Sequence, residues 1–144
     1  MRYALFGLIL FLSACDAATD APPCTLLTDD TFTFSAPFTA NSGEAIALFE
    51  FQQEVRTYET DNCAQTDPDV NEVSLVVRNL TACVVNLTYS TSLISNGEGF
   101  THEGTATIQP GAALDQGIVE RNSPIIISNA QAVVTGTSTL TACP

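Results

Sequence analysis

The sequence contains no lysine and no tryptophan, and it has only one histidine and one methionine; all four basic residues are arginine. Sixteen acidic residues leave a formal net charge of −12 over 144 residues. This balance argues against nucleic-acid binding, because contact with phosphates needs clustered lysine and arginine. Hydrophobic residues make up 45% of the chain, which is enough for a folded core and unlike a disordered protein. The length suits one ordinary domain.

The N-terminus carries an uninterrupted apolar segment, Ala4–Leu12, directly after Arg2 and Tyr3. The segment is too short for a spanning helix, which needs about 20 apolar residues, and is typical of a signal peptide. The next residues, LSAC at 12–15, resemble the lipobox of bacterial lipoprotein precursors. This resemblance implies cleavage before Cys15, transfer of a diacylglycerol to its thiol and acylation of the new amine. Residues 1–14 are then the signal peptide.

The resemblance also implies a location. Acyl chains on Cys15 would anchor the protein to a membrane of the bacterial cell envelope, with the domain outside the cytoplasm. Residues 15–23 form a short lipidated tether and residues 24–144 a single domain. Asp16, directly after the lipidated cysteine, resembles a signal that retains lipoproteins in the inner membrane. Because that sorting rule differs between organisms, the choice between the inner and the outer membrane stays open.

Four cysteines remain once Cys15 carries lipid. In an oxidising compartment an even number predicts two disulfide bonds, and no pair has the short spacing of a zinc site. The disulfide candidates are Cys24, Cys63, Cys83 and Cys143.

Alternation of apolar and polar residues is the strongest pattern in the rest of the chain and predicts half-buried β-strands. Turn signals such as Asn96-Gly97 and Pro110-Gly111 separate these runs, as in an antiparallel sandwich. Residues 44–58 fit either a helix or a strand, and we favour a strand over Ala45–Gln52. The other predicted strands lie at Thr31–Ser35, 73–78, 85–93, 100–108, Leu114–Glu120, Ile125–Ser128 and 131–142.

The segment from Val73 onwards resembles immunoglobulin-like and fibronectin-like domains of bacterial envelope proteins. The resemblance is carried by a turn at Asn79–Thr81, a long strand through Tyr89 and a turn at Thr107–Gly111. It predicts an all-β, antiparallel immunoglobulin-like sandwich of about seven strands. Architecture of this kind does not identify a function.

The pairing of Cys143 depends on whether Ile125–Ser128 is a strand. If it is, Cys143 ends up near Cys63; if it is only a crossover between sheets, Cys143 ends up near Cys83. Bridging needs Cα atoms within about 7 Å, so the number of strands selects the partner. The sequence leaves both pairings open.

Catalytic candidates are few. His102 and Glu103 are neighbours on a predicted strand, so their side chains point to opposite faces and cannot act as a pair. No nucleophile or metalloprotease motif occurs in the sequence. We therefore expect no enzymatic activity.

The acidic stretch before the predicted strand that begins at Val73 contains a weak candidate for a calcium site. Asp67, Asp69 and Asn71 reproduce the first three ligand positions of a calcium loop, but Glu72 stands where the turn glycine belongs, which excludes an EF-hand. A solvated acidic loop is the favoured interpretation.

Threonines alternate along the last predicted strand, from Thr135 to Thr141. Ice-binding surfaces present regular ladders of this kind, but over several adjacent strands, and the sequence offers only Thr105 and Thr107 as a second row. The pattern therefore favours a solvent-facing strand rich in β-branched residues.

Together these features predict a lipid-anchored, non-catalytic envelope module that interacts with another envelope protein through a sheet edge or loops. The first alternative is a small-ligand, glycan or calcium-dependent binding domain, and the second is an enzyme. The membrane, through the lipid, and an envelope protein are the expected partners; no cofactor other than the lipid, or calcium in the first alternative, is expected.

Overall fold

The structure is a computed structural model that describes residues 24–59 and 69–144. These residues form seven strands, which confirms the predicted all-β class. A 3-10 turn at Ile127–Asn129 is the one helical element in the described part, and no helix there is long and apolar enough to cross a bilayer. The strands are β1 (Leu26–Thr39), β2 (Ala45–Tyr58), β3 (Val70–Asn79), β4 (Val84–Ser95), β5 (Glu98–Ile108), β6 (Ala113–Arg121) and β7 (Gln131–Thr141).

The strands form two antiparallel sheets. The four-stranded sheet has the order β1-β2-β3-β6, and the three-stranded sheet has the order β5-β4-β7. Their inner faces share one core, in which the rings of Phe49 and Tyr89 meet edge to face with centroids 4.8 Å apart. The two antiparallel sheets agree with the predicted sandwich of about seven strands, and the immunoglobulin-like identity stays a prediction.

Strand β2 settles the ambiguity at residues 44–58. Ala47, Phe49, Phe51 and Gln53 are buried, and the residues between them face outward, so the period is two. The helical spacing of other apolar residues in this segment has no counterpart in the structure. Burial of two phenylalanines on one face of a central strand explains why the strand forms.

The predicted strand at Ile125–Ser128 is wrong: this segment is part of the crossover from β6 to β7. Its backbone bonds to a side chain rather than to a strand. The Gln53 Nε2 donates to Ile125 O at 2.8 Å, and Ile127 N donates to Gln53 Oε1 at 2.9 Å. Ile125 and Ile127 are buried in the core, and their alternation imitated that of a strand.

A crossover at this point places Cys143 beside Cys83, and the structure has a disulfide between them. This is the pairing predicted for the case in which Ile125–Ser128 is a crossover and not a strand. Cys24 is also disulfide-bonded, whereas Cys63 lies outside the described residues. We call the end of the sandwich that holds the Cys83–Cys143 bond the disulfide end, and the end where β1 begins the tether end.

The disulfide end is closed by Asn79, whose side chain is buried. Its Nδ2 donates to the carbonyl oxygens of Cys83, Ile108 and Gln109 at 2.8–3.0 Å. Its Oδ1 accepts from Thr81 N at 2.8 Å. One amide therefore joins the crossover between β3 and β4 to the end of β5.

Candidate functional site

Within residues 24–59 and 69–144, four strands lie at sheet edges and have no strand partner on one side: β1 and β6 in one sheet, and β5 and β7 in the other. Exposed edges template pairing with another chain, and proteins block them with charges, prolines and bulges. Three of the four edges are blocked in this way. β1 carries Asp29, Asp30 and Pro37; β5 carries Glu98 and Glu103; and β6 carries Asp115 and Glu120 together with two register shifts against β3.

Strand β7 is the unblocked edge. Over eleven residues, QAVVTGTSTLT, it has no charged residue and no proline. Val133 and Leu140 are 55% and 45% exposed, whereas Ala132 and Val134 pack against the core. The strand thus offers backbone hydrogen-bonding groups and apolar side chains at an edge that carries no charge.

The outer face of the three-stranded sheet forms a second unusual surface, which we call the hydroxyl face. Its four rows each join one residue of β5, one of β4 and one of β7 in direct register, and nine of the twelve positions carry a hydroxyl group. The rows are Thr107–Asn86–Thr139, Thr105–Thr88–Thr137, Glu103–Ser90–Thr135 and Thr101–Ser92–Val133.

Hydrogen bonds fix the outer rows of this face. Ser92 and Thr101 share a hydroxyl–hydroxyl bond of 2.9 Å, and Thr107 Oγ1 donates to Asn86 Oδ1 at 2.8 Å. From the sequence, only Thr105 and Thr107 were expected to accompany the threonines of the last strand; the structure places β4, with Thr88 and two serines on the same face, between those two strands. Strand order decides this adjacency, and alternation within single strands does not reveal it.

On the inner face of the same sheet, Tyr89 stands between two glycines, Gly104 on β5 and Gly136 on β7. A Cβ atom at Gly104 would lie 2.6 Å from the Tyr89 hydroxyl oxygen, so the glycine makes room for the tyrosine side chain. The ring of His102 lies nearby, with its centroid 6.1 Å from that of Tyr89. Within the described residues, the Tyr89 hydroxyl and His102 Nε2 are buried without a hydrogen-bond partner.

Burial has opposite effects on these two groups, because it disfavours the charged form of each. It lowers the pKa of His102 below its usual 6.5 and raises the pKa of Tyr89 above its usual 10. Glu103 faces outward from the next position on β5, as the alternation predicts. The carboxylate of Glu103 and the imidazole of His102 therefore lie on opposite faces of β5 and do not form a pair.

The lowered pKa of His102 makes the stability of the fold depend on pH. The unfolded chain binds the proton first as the pH falls through about 6.5, so this contribution destabilises the fold progressively in acid. We expect the wild-type protein to lose more unfolding free energy than His102→Gln between about pH 7.5 and pH 5. Urea unfolding of both proteins at each pH measures the difference; equal losses would contradict the prediction.

Only two of the three calcium-candidate residues, Asp69 and Asn71, belong to the part of the chain that the structure describes. Asp67 lies outside the described residues, and Asp69 Oδ1 accepts a hydrogen bond from Tyr58 N at 3.1 Å. The Asn71 side chain accepts from Gln53 Nε2 and donates to Ser123 O, both at 2.8 Å. Its amide oxygen therefore serves the framework between β2 and β3.

The lipidation candidate, Cys15, also lies outside the described residues. The described part is a two-layer sandwich with one unblocked edge and one hydroxyl-rich face, both on the same sheet. Comparison of the chain with protein-family models, with curated proteins and with solved structures finds no match.

Proposed function

We propose that the protein is a lipid-anchored, non-catalytic module of the bacterial envelope that accepts a strand from another envelope protein at the edge of β7. The observation that carries this proposal is the contrast among the four edges: β7 lacks the charges and prolines that block the others. In strand addition, backbone hydrogen bonds supply affinity and alternate side chains supply specificity.

Electrostatics supports the same edge. With a net charge of −12, most of the surface repels acidic partners and the remaining edges carry acidic side chains. A strand that adds to β7 meets a neutral backbone and the exposed Val133 and Leu140. Burial of such side chains stabilises a complex by about 25 cal/mol per Å² of apolar surface.

The second part of the proposal is the lipid anchor, which the resemblance of residues 12–15 to a lipobox implies. Lipid on Cys15 would leave a tether that spans at most about 3.5 Å per residue before β1 begins. Confinement near a membrane raises the effective concentration of a partner anchored there. A partner strand of modest intrinsic affinity would then be held at β7.

Site-specific photo-crosslinking of the full-length, lipidated protein in its native host tests the proposal. The photoreactive residue p-benzoylphenylalanine replaces Thr135 or Thr139 on β7, Thr88 on the middle strand of the same face, or Thr33 on β1. We expect one adduct of constant mass from the two β7 positions and none from Thr88 or Thr33, because an added strand covers the edge.

Equal adducts from Thr88 and Thr139 would place the partner on the face of the sheet and contradict edge addition. Failure of every β7 position to form an adduct, while the protein stays in the membrane, would overturn the interaction itself. The variant Cys15→Ser separates the two halves of the proposal: the adduct should be lost when the lipid is lost.

A further inference from the structure

We propose that the hydroxyl face binds ice. The inference is independent of the proposed partner at β7, since it concerns the face of the sheet and not its edge. It rests on the register that aligns β5, β4 and β7 and on the chemistry of the aligned side chains.

The geometry is that of a small lattice. Neighbouring strands lie about 4.8 Å apart and alternate residues of a strand about 6.7 Å apart, so three strands and four rows cover about 10 by 20 Å. A hydroxyl group donates one hydrogen bond and accepts two, as a surface of hydrogen-bonded water requires. In ice, water molecules repeat at fixed spacings, and a regular array of hydroxyls can replace members of one layer.

The hydroxyl face carries fewer charged residues than the outer face of the four-stranded sheet. Glu103 is the one charged residue in the four rows, although the chain contains sixteen acids. The outer face of the four-stranded sheet instead carries ion pairs, Glu50 with Arg78, Glu54 with Arg56 and Glu72 with Arg121. Charged groups hold water in shells that do not fit an ice lattice, so a nearly neutral face suits ice.

One inner row of the face, Thr105–Thr88–Thr137, is aligned by the strand register and exposed to water. Thr105, Thr88 and Thr137 lie directly side by side on the three strands. All three are exposed, and their hydroxyls make no side-chain hydrogen bond with the described residues. Beta-branching restricts each side chain at χ1, so binding orders few new rotamers. The two outermost rows of the face are fixed by the bonds of Ser92 and Asn86.

The side chains of this sheet favour ice over a polysaccharide. Its aromatic residues, Tyr89 and Phe100, are buried on the inner face. Sugar rings are commonly bound by stacking on exposed aromatic faces, which the hydroxyl face does not offer. A neutral array of hydroxyls and methyl groups without a stacking platform is suited to a crystalline water surface.

The test uses the full-length protein in detergent micelles, with micelles alone as the blank. The first measurement is the fraction of protein taken into slowly growing ice, and the second is the protein concentration that halts coarsening of ice grains in frozen sucrose. We expect uptake into ice and inhibition of coarsening by the wild-type protein. Thr88→Lys should raise the inhibitory concentration by at least about tenfold, because it places a charge at the centre of the array.

Thr33→Lys is the matched control, because Thr33 is an exposed threonine on β1 and the substitution changes the charge equally. It should leave both measurements unchanged. Thr137→Lys provides a second disruptive variant if circular dichroism shows that Thr88→Lys is unfolded. Exclusion of the wild-type protein from ice, equal effects of Thr33→Lys and Thr88→Lys, or binding to insoluble cellulose without binding to ice would each overturn the proposal.

Discussion

Replacing Cys83 and Cys143 with serine is expected to lower the free energy of unfolding by about 4 kcal/mol. The bond closes a loop between residues 60 positions apart, and the entropy that it removes from the unfolded chain grows with the logarithm of loop length. Among the described strands β7 pairs only with β4, so the bond also fixes one end of an edge strand. Urea unfolding of the two proteins under oxidising conditions measures the effect.

Hydrogen exchange adds a spatial check on this prediction. Amide protection in the double variant should fall first at the disulfide end of β7, near Leu140, and last near Ala132, because fraying begins where the constraint is lost. Protection around Gln53 should change only through the loss of global stability. A stability loss below about 1 kcal/mol, or uniform loss of protection along β7, would contradict the predicted role of the bond.

Features that depend on neighbouring residues in the sequence could be predicted, whereas features that depend on contacts between distant segments could not. Alternation in single strands is local, so the all-β class, the strand at residues 45–52 and the opposite orientations of His102 and Glu103 could be predicted. Strand order is not local: the same alternating pattern at Ile125 and Ile127 belongs to a crossover, because Gln53, far away in sequence, satisfies its backbone.

The candidate sites show the same division. Composition alone identifies β7 as a run without charge or proline, but only the sheet order makes it an edge. The threonines of β5 and β7 are visible in the sequence, whereas their alignment through Thr88 depends on β4 lying between them. Residues that sequence reasoning missed, Gln53 and Asn79, are polar residues at inward positions of apolar strands. Such a break in the alternation is the signal that could have found them.

Gln53→Leu is expected to lower the free energy of unfolding by about 3 kcal/mol or more, because unsatisfied buried polar groups cost roughly 1–3 kcal/mol each. Gln53 is fully buried on the inner face of β2. Its amide satisfies Asn71 Oδ1, Ile125 O and Ile127 N, all at 2.8–2.9 Å. Leucine fills similar space but leaves all three groups without this partner.

Gln52→Leu is the matched control, since Gln52 is the neighbouring residue on β2 and is exposed. It should change the unfolding free energy by less than about 0.5 kcal/mol. Urea unfolding of the two variants and the wild-type protein gives the comparison, and the m-values show whether each unfolds as one unit. Hydrogen exchange at Ile127 N should accelerate in Gln53→Leu beyond the change in global stability, because that amide loses its acceptor. Equal stability of the two variants would mean that the crossover is held by burial of Ile125 and Ile127, and not by the Gln53 amide.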